Sequence, residues 1–241
     1  MSDVREEDQT RTTESDLREL VARGAAELDG ADAIDLLRWA DDNFGANYVV
    51  ASNMQDAVLI DLVAKVRPGV DVLFLDTGYH FVETIGTRDA VAAVYDVNVV
   101  NVTPEHTVDQ QDRLRGKNLF AREPNECCRM RKVLPLGKAL RGYSAWVTGL
   151  RRVEAPTRAK APFITFDEAF GLVKINPLAA WTDEDMQDYI EAHGVLVNAL
   201  VYEGYPSIGC APCTAKPEPG SDPRSGRWQG LAKTECGLHS S

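Results

Sequence analysis

Five cysteines stand in this 241-residue chain as two pairs and a single residue: Cys127-Cys128, Cys210-Ala211-Pro212-Cys213, and Cys236 close to the C-terminus. Two pairs supply four thiolates, enough for a zinc ion or an iron–sulfur cluster. The C-x-x-C half is ordinary for either. Adjacent cysteines are unusual ligands, because neighbouring side chains tend to diverge. Cys210 and Cys213 could instead form a redox-active dithiol, but they do not open a helix after a strand as a thioredoxin motif does. Cys236 is then the thiol left over. Lys233 lies three residues before it and His239 three after. Cationic neighbours favour the thiolate, the reactive form of cysteine. A terminal tail can swing, so such a thiol could reach a buried substrate and afterwards meet a second protein. The bland alternative is a spare thiol on a frayed end.

The second chemical signal is positive charge in an acidic chain. The net charge is −11, which argues against nucleic acid and anionic membrane surfaces as partners. Basic residues nevertheless cluster: Arg129, Arg131 and Lys132 after Cys128; Arg151, Arg152, Arg158 and Lys160 after Gly149; Arg224 and Arg227 in the tail. Such clusters near strand ends suit a small anion, against the alternative of a solvated basic face.

These groups need a scaffold. Tyr48–Ser52, Val72–Leu75, Val97–Val102 and Ala145–Thr148 read as buried strands, with helices starting near Asp16, near Ile34, and through 57–63, 81–94 and 132–140. Apolar strands alternating with helices predict a mostly parallel α/β sheet covered on both faces. Ligands of such sheets sit at the carboxyl ends of the strands. Ser52, Asp76-Thr77-Gly78 and Thr148-Gly149 all fall there. Ser52 also opens a strand-to-helix turn whose free N–H groups suit phosphate. Beyond Gly149 the pattern loosens. Residues 163–166 and 172–175 read as a hairpin, and Thr182 starts a helix. Residues 1–15 read as a disordered lead-in, 16–202 as one domain, and 203–241 as a loop segment that still holds three of the five cysteines. No apolar run approaches the roughly 20 residues of a membrane span, and the polar N-terminus has no apolar leader. The expected compartment is the cytoplasm, where cysteines serve more often as ligands or catalysts than as disulfides.

The assembled motifs closely resemble the assimilatory adenylyl-sulfate and phosphoadenylyl-sulfate reductases. The matching pieces are Leu75-Asp76-Thr77-Gly78 with Phe81-x-Glu83-Thr84, Val147-Thr148-Gly149-x-Arg151-Arg152, Lys174-x-Asn176-Pro177-Leu178 with Trp181-Thr182, the run from Gly204 to Thr214, Gly226-Arg227-Trp228, and Lys233-Thr234-Glu235-Cys236-Gly237-Leu238-His239. The resemblance implies an adenine-nucleotide α-hydrolase-like fold with a mobile catalytic tail. It implies Cys236 as the nucleophile, attacking adenylyl sulfate to give an S-sulfocysteine that thioredoxin reduces to sulfite. Carrying both cysteine pairs implies the branch with a [4Fe-4S] cluster, held by Cys127, Cys128, Cys210 and Cys213. Ser52, Gly149, Arg158, Arg224 and Arg227 would touch the nucleotide or sulfate. Lys132 would lie between cluster and substrate, and His239 would touch substrate beside Cys236.

One stretch departs from related ATP-cleaving enzymes. Where they carry Ser-Gly-Gly-x-Asp-Ser, this chain has Ser52-Asn53-Met54-Gln55-Asp56-Ala57, which speaks against ATP cleavage. Other readings are the 3′-phosphorylated substrate, a zinc-stabilised ATP-using enzyme of the same fold, or a nucleotide sensor with a redox-reporting cluster. A homo-oligomer also stays open.

Overall fold

A computed structural model describes residues 13–231 and 233–238. The expected lead-in at 1–12 lies outside the described residues. Residues 13–15, expected to belong to it, are ordered: helix α1 spans Glu14–Glu27. Its cap is Thr13. Asp16 sits in the first turn and its carboxylate accepts from the Thr13 N–H at 2.9 Å, completing a reciprocal capping box. Helix α2 (Ala33–Phe44) follows, capped by Asp32.

The sheet comprises β1 (Tyr48–Ser52), β2 (Val70–Leu75), β3 (Val97–Val102), β4 (Ala145–Thr148), β5 (Ile164–Asp167) and β6 (Leu172–Ile175). Their order is β3-β2-β1-β4-β6-β5, all parallel except the β5–β6 pair. The β5–β6 hairpin was legible in the sequence. Its docking beside β4 was not, because that pairing is non-local. Alternate residues serve opposite faces. Tyr48, Val50, Val72, Phe74, Val147 and Val173 enter the larger core with α2 and with α3 (Val58–Val66). Val49, Leu73, Trp146 and Leu172 enter a smaller core with Leu136 and Leu140. Both sets are buried, which is why the strands read as continuous apolar runs. Leu37 is fully buried in the larger core. Leu37→Ala is expected to cost about 2–5 kcal/mol, read as a lower urea midpoint at unchanged slope.

Helix α4 (Val82–Val94) crosses from β2 to β3, followed by α5 (Val108–Arg115) and α6 (Leu119–Arg122). The helix expected to begin at Lys132 begins earlier. Helix α7 (Pro124–Cys128) runs through a π-helical turn, Arg129–Val133, into α8 (Leu134–Ala139). The cysteine pair is therefore helical. Widened π turns cluster at functional positions, and this one carries Arg131 and Lys132. Helix α9 (Asp183–His193) has Thr182 as cap and Gly194 as a left-handed terminus. After the short α10 (Ala199–Tyr202), the described residues add a 3₁₀ turn at Ala211–Cys213 and an isolated antiparallel bridge between Thr214 and Arg227. Among the described residues, no helix is long and apolar enough to cross a membrane.

Candidate active site

Strand order reverses between β1 and β4, which pair in register with Ala51 opposite Thr148. At such a reversal the connections leave in opposite directions and open a crevice beyond the strand ends. Ser52 and Gly149 are the residues that step off these two strands. Both line a cavity of about 730 Å³, large enough for a nucleotide. Arg158, Arg224, Arg227, Lys132 and Cys236 line it too. The structure thus brings to one cavity every site residue expected there except His239, which lies outside the described residues.

The turn after β1 keeps a tight backbone without glycine. Met54 stands at the second glycine position of the ATP-cleaving motif, is fully buried, and takes φ +59. The Met54 N–H donates to Ser52 Oγ at 3.2 Å, and Asn198 Nδ2 donates to the Met54 carbonyl at 3.1 Å. Gln55 reaches across to the tail: its Oε1 accepts from the Ile208 N–H at 3.0 Å, and its Nε2 donates to the Pro206 carbonyl at 3.3 Å. The strand-end turn and the segment leading to Cys210 are thereby tied together.

The four paired cysteines line a second, small cavity beside the first, together with Tyr79, Phe120, Pro124, Arg131 and Pro212. Lys132, Arg227 and Trp228 line both cavities and form the partition between them. Burial pushes the Cys127 thiol up to about 12 and the Cys213 thiol up to about 11. Burial raises Cys128 as well, against the pull of Lys132. Lys132 would itself be pushed down by burial, but the sulfurs of Cys210 and Cys236 hold its ammonium above the usual lysine range. Among the described residues, no three His, Cys, Asp or Glu side chains close on a single metal ion. The donor set is nonetheless all sulfur, with no carboxylate or imidazole lining the cavity. Such a set suits a soft metal or an iron–sulfur cluster.

Of Asp76-Thr77-Gly78, Thr77 meets a cysteine of the second cavity and lies outside the lining of the first. Thr77 Oγ1 lies 3.3 Å from Cys210 Sγ, and the Thr77 carbonyl accepts from Arg131 Nε. Arg131 is buried, and its other bonds go to the His106 carbonyl and to Gln111 Oε1 at 3.0 Å. No acidic group pairs with it among the described residues, so its charge is free to oppose sulfur. The sequence could not separate the two rims, since both begin at strand ends.

The tail is closed over the first cavity. Leu238 packs on the smaller core with Trp146 and Leu136. Gly237 turns the chain toward it with φ +83, a backbone that side chains rarely adopt. Glu235 pairs with Arg158 (Nε–Oε1 2.8 Å, Nη2–Oε2 2.8 Å) and with Arg224 at 3.3 Å. Arg158 also pairs with Glu154. Two of the expected anion-binding arginines therefore already hold carboxylates. Arg227 and Lys132 have no acidic partner among the described residues. Arg227 donates to Ser207 Oγ at 3.2 Å, and a methyl group at Gly209 would collide with its guanidinium. Of the other histidines, His80 lines the first cavity and bonds the Leu75 carbonyl at 2.8 Å, while burial keeps its ring below the usual histidine range. His193 ends α9.

The phosphoadenosine phosphosulfate reductase domain family matches residues 45–216. The chain is 78% identical to the adenosine 5′-phosphosulfate reductase of Mycolicibacterium smegmatis over 232 residues, which span 96% of this chain and 98% of that protein. The chain belongs to the adenosine 5′-phosphosulfate reductase family. A phosphoadenylyl-sulfate reductase of Candida auris, solved as a phosphate complex, superposes with a TM-score of 0.70 at 27% identity, covering 82% of this chain and 97% of that one. The Candida glabrata FMN adenylyltransferase shares the fold, with a TM-score of 0.55 at 12% identity, covering 86% of this chain and 77% of that one. The expected nucleotide α-hydrolase-like reductase fold is thus borne out. Membership in this family makes the chain an oxidoreductase.

Proposed function

We propose that this chain reduces adenosine 5′-phosphosulfate to sulfite and AMP in sulfate assimilation, with Cys236 as the nucleophile. The observation that carries the reading is the position of Cys236: half-buried, on the wall of the cavity between β1 and β4, beside Lys132 and Arg227. The Cys236 thiolate attacks the sulfur of the substrate's sulfo group. The S–O bond to the AMP phosphate breaks, AMP leaves with that electron pair, and Cys236 carries an S-sulfo group. Joining sulfate to AMP supplies a stable leaving group, so the protein's task is orientation and charge neutralisation. Ser52 and Gly149 face the nucleotide end; Lys132 and Arg227 supply cations for the phosphate and sulfo oxygens. A dithiol protein such as thioredoxin then attacks the Cys236 sulfur. Sulfite leaves, and the dithiol's second thiol resolves the mixed disulfide and restores the Cys236 thiol.

Cys127, Cys128, Cys210 and Cys213 are proposed to hold a [4Fe-4S] cluster, which when bound would brace the two cysteine segments and tune the field at the sulfo group without carrying electrons. Arg131, buried without an acidic partner among the described residues, offers a counter-charge to it. His239 is proposed to meet substrate beside Cys236. The cytoplasm is the proposed compartment.

The deciding experiment is intact mass and peptide mapping of anaerobically purified protein after exposure to adenosine 5′-phosphosulfate without reductant. One added SO₃ on the Cys236 peptide, discharged as sulfite by reduced thioredoxin, is the expected result. No adduct on iron-loaded protein that still binds the nucleotide would defeat this reading, and an adduct formed only from the 3′-phosphorylated substrate would reassign the substrate. Arg227→Ala should lower kcat/KM by roughly 10- to 100-fold, the loss of a charge-assisted contact to an anion. Steady-state kinetics on the iron-replete variant tests it.

A further inference from the structure

Glu235 directly precedes the reacting cysteine, yet the reaction above makes no use of its carboxylate. A carboxylate inside a cavity that must take two anionic groups is costly by simple repulsion unless it has a task. Its partners give one. Arg158 meets it side-on with both oxygens engaged at 2.8 Å. Thr157 Oγ1 donates to Oε1 at 3.2 Å. Arg224 Nη2 spans Oε2 at 3.3 Å and the neighbouring Thr234 carbonyl at 3.0 Å. The Arg158 and Glu235 side chains are only 11% and 18% exposed, so the bonds are largely shielded from water. Burial alone would push the Glu235 carboxyl up; the Arg158 bond outweighs it and holds the group below the usual carboxylate range. Behind Arg158, Glu154 pairs with its remaining edge and fixes the guanidinium in place.

We propose that Glu235 is the positioning residue of the tail: its carboxylate, clasped between Arg158 and Arg224, seats Cys236 over the nucleotide cavity. Adjacent Cα atoms are about 3.8 Å apart, so fixing residue 235 fixes the reach of residue 236. The clasp lies on the N-terminal side of Cys236, and the apolar contact of Leu238 lies on the other. The reacting residue is thus held at both flanks. The anchors differ in kind. The ionic one exchanges readily with other anions, which gives the tail a way to leave the cavity once Cys236 is sulfonated and must meet an external thiol. The inference rests on Cys236 being the nucleophile.

The test uses full-length, iron-replete, reduced protein and the variants Glu235→Gln, Glu235→Asp and Thr157→Val. Two rates are read separately: alkylation of Cys236 by iodoacetamide without substrate, and single-turnover appearance of the SO₃ adduct across substrate concentrations. With Glu235→Gln, alkylation should rise roughly tenfold or more, as expected for losing a charge-assisted clasp. The maximal adduct rate should fall by a similar factor, with AMP affinity near wild type. Glu235→Asp should recover part of both, and Thr157→Val should show a smaller rise in alkylation. Wild-type alkylation and adduct rates in Glu235→Gln would overturn the proposal. So would a faster adduct at lower substrate concentration, which would mark Glu235 as a competitor for the arginines. Loss of iron and thermal midpoint together with rate would mark a merely structural role and also overturn it. If wild-type protein forms no adduct on Cys236, the nucleophile reading fails, and the alkylation rates still decide whether the clasp holds the tail.

Discussion

Replacing Cys236 by Ser is expected to abolish sulfite release, by at least about 10³-fold, while AMP and substrate still bind. Removing a nucleophile from a site whose binding groups are intact leaves only the weak residual effect of orientation and charge. The geometry supports the separation of binding from chemistry. Ser52 and Gly149 step off strands buried in the sheet, and Lys132 belongs to the helical run after Cys128. None of these depends on the sulfur of Cys236 for its position. Serine adds no bulk, so the tail should still close through Leu238 and Glu235. Nucleotide binding by calorimetry beside sulfite release by a colorimetric assay gives the comparison. A Cys236→Ser enzyme that turns over at an appreciable fraction of the wild-type rate would remove Cys236 from the mechanism altogether.

Replacing Cys127 or Cys210 by Ser is expected to remove iron and activity together, from about four iron atoms per chain toward zero. The two residues sit on segments far apart in sequence that share one small cavity. Their loss should loosen both segments, because the binding energy of a metal centre is folding energy for the parts it joins. Iron content, the brown colour and limited proteolysis are readouts independent of turnover. The Cys210 segment should become the cleaved one, since outside the cavity it is held by a few contacts, among them the Ala211 N–H to the Tyr79 carbonyl at 2.7 Å, the bonds of Gln55 and the Tyr205–Phe81 ring pair. A variant that keeps its iron and its rate would take that cysteine out of the ligand set.

Much of this was legible one residue at a time. Strand β1, β3 and β4 boundaries follow from apolar runs between turn residues, because a strand buried on both faces tolerates little else. The Thr182 cap and the acidic first turn of α9 follow from orphan N–H groups that need acceptors. The start of the helix carrying Cys127 was not legible. Pro124 is a good first-turn residue, but Pro124-Asn125-Glu126 ahead of the cysteines supplies no apolar period, and the π turn beyond Cys128 breaks the period further. Neither was the division of labour among strand ends, where Thr77 turned out to meet Cys210. Glu235 was visible beside Cys236, yet nothing in its neighbours says that its partner stands 77 residues away.

By itself, the sequence determined the chemical inventory and its local scaffold: five thiols in three places, cations in three clusters, and alternating buried strands and helices. These are properties of composition and of periods two to four residues long, which backbone geometry translates directly. Only the tertiary structure decided which pieces meet. The reversal of strand order between β1 and β4 opens the cavity, the partition of Lys132, Arg227 and Trp228 sets one thiol apart from four, and the closed tail gives Arg158 to Glu235. Each of these is a contact between segments distant in the chain, and it is settled by the packing of the whole sheet and its two cores, not by any residue's neighbours.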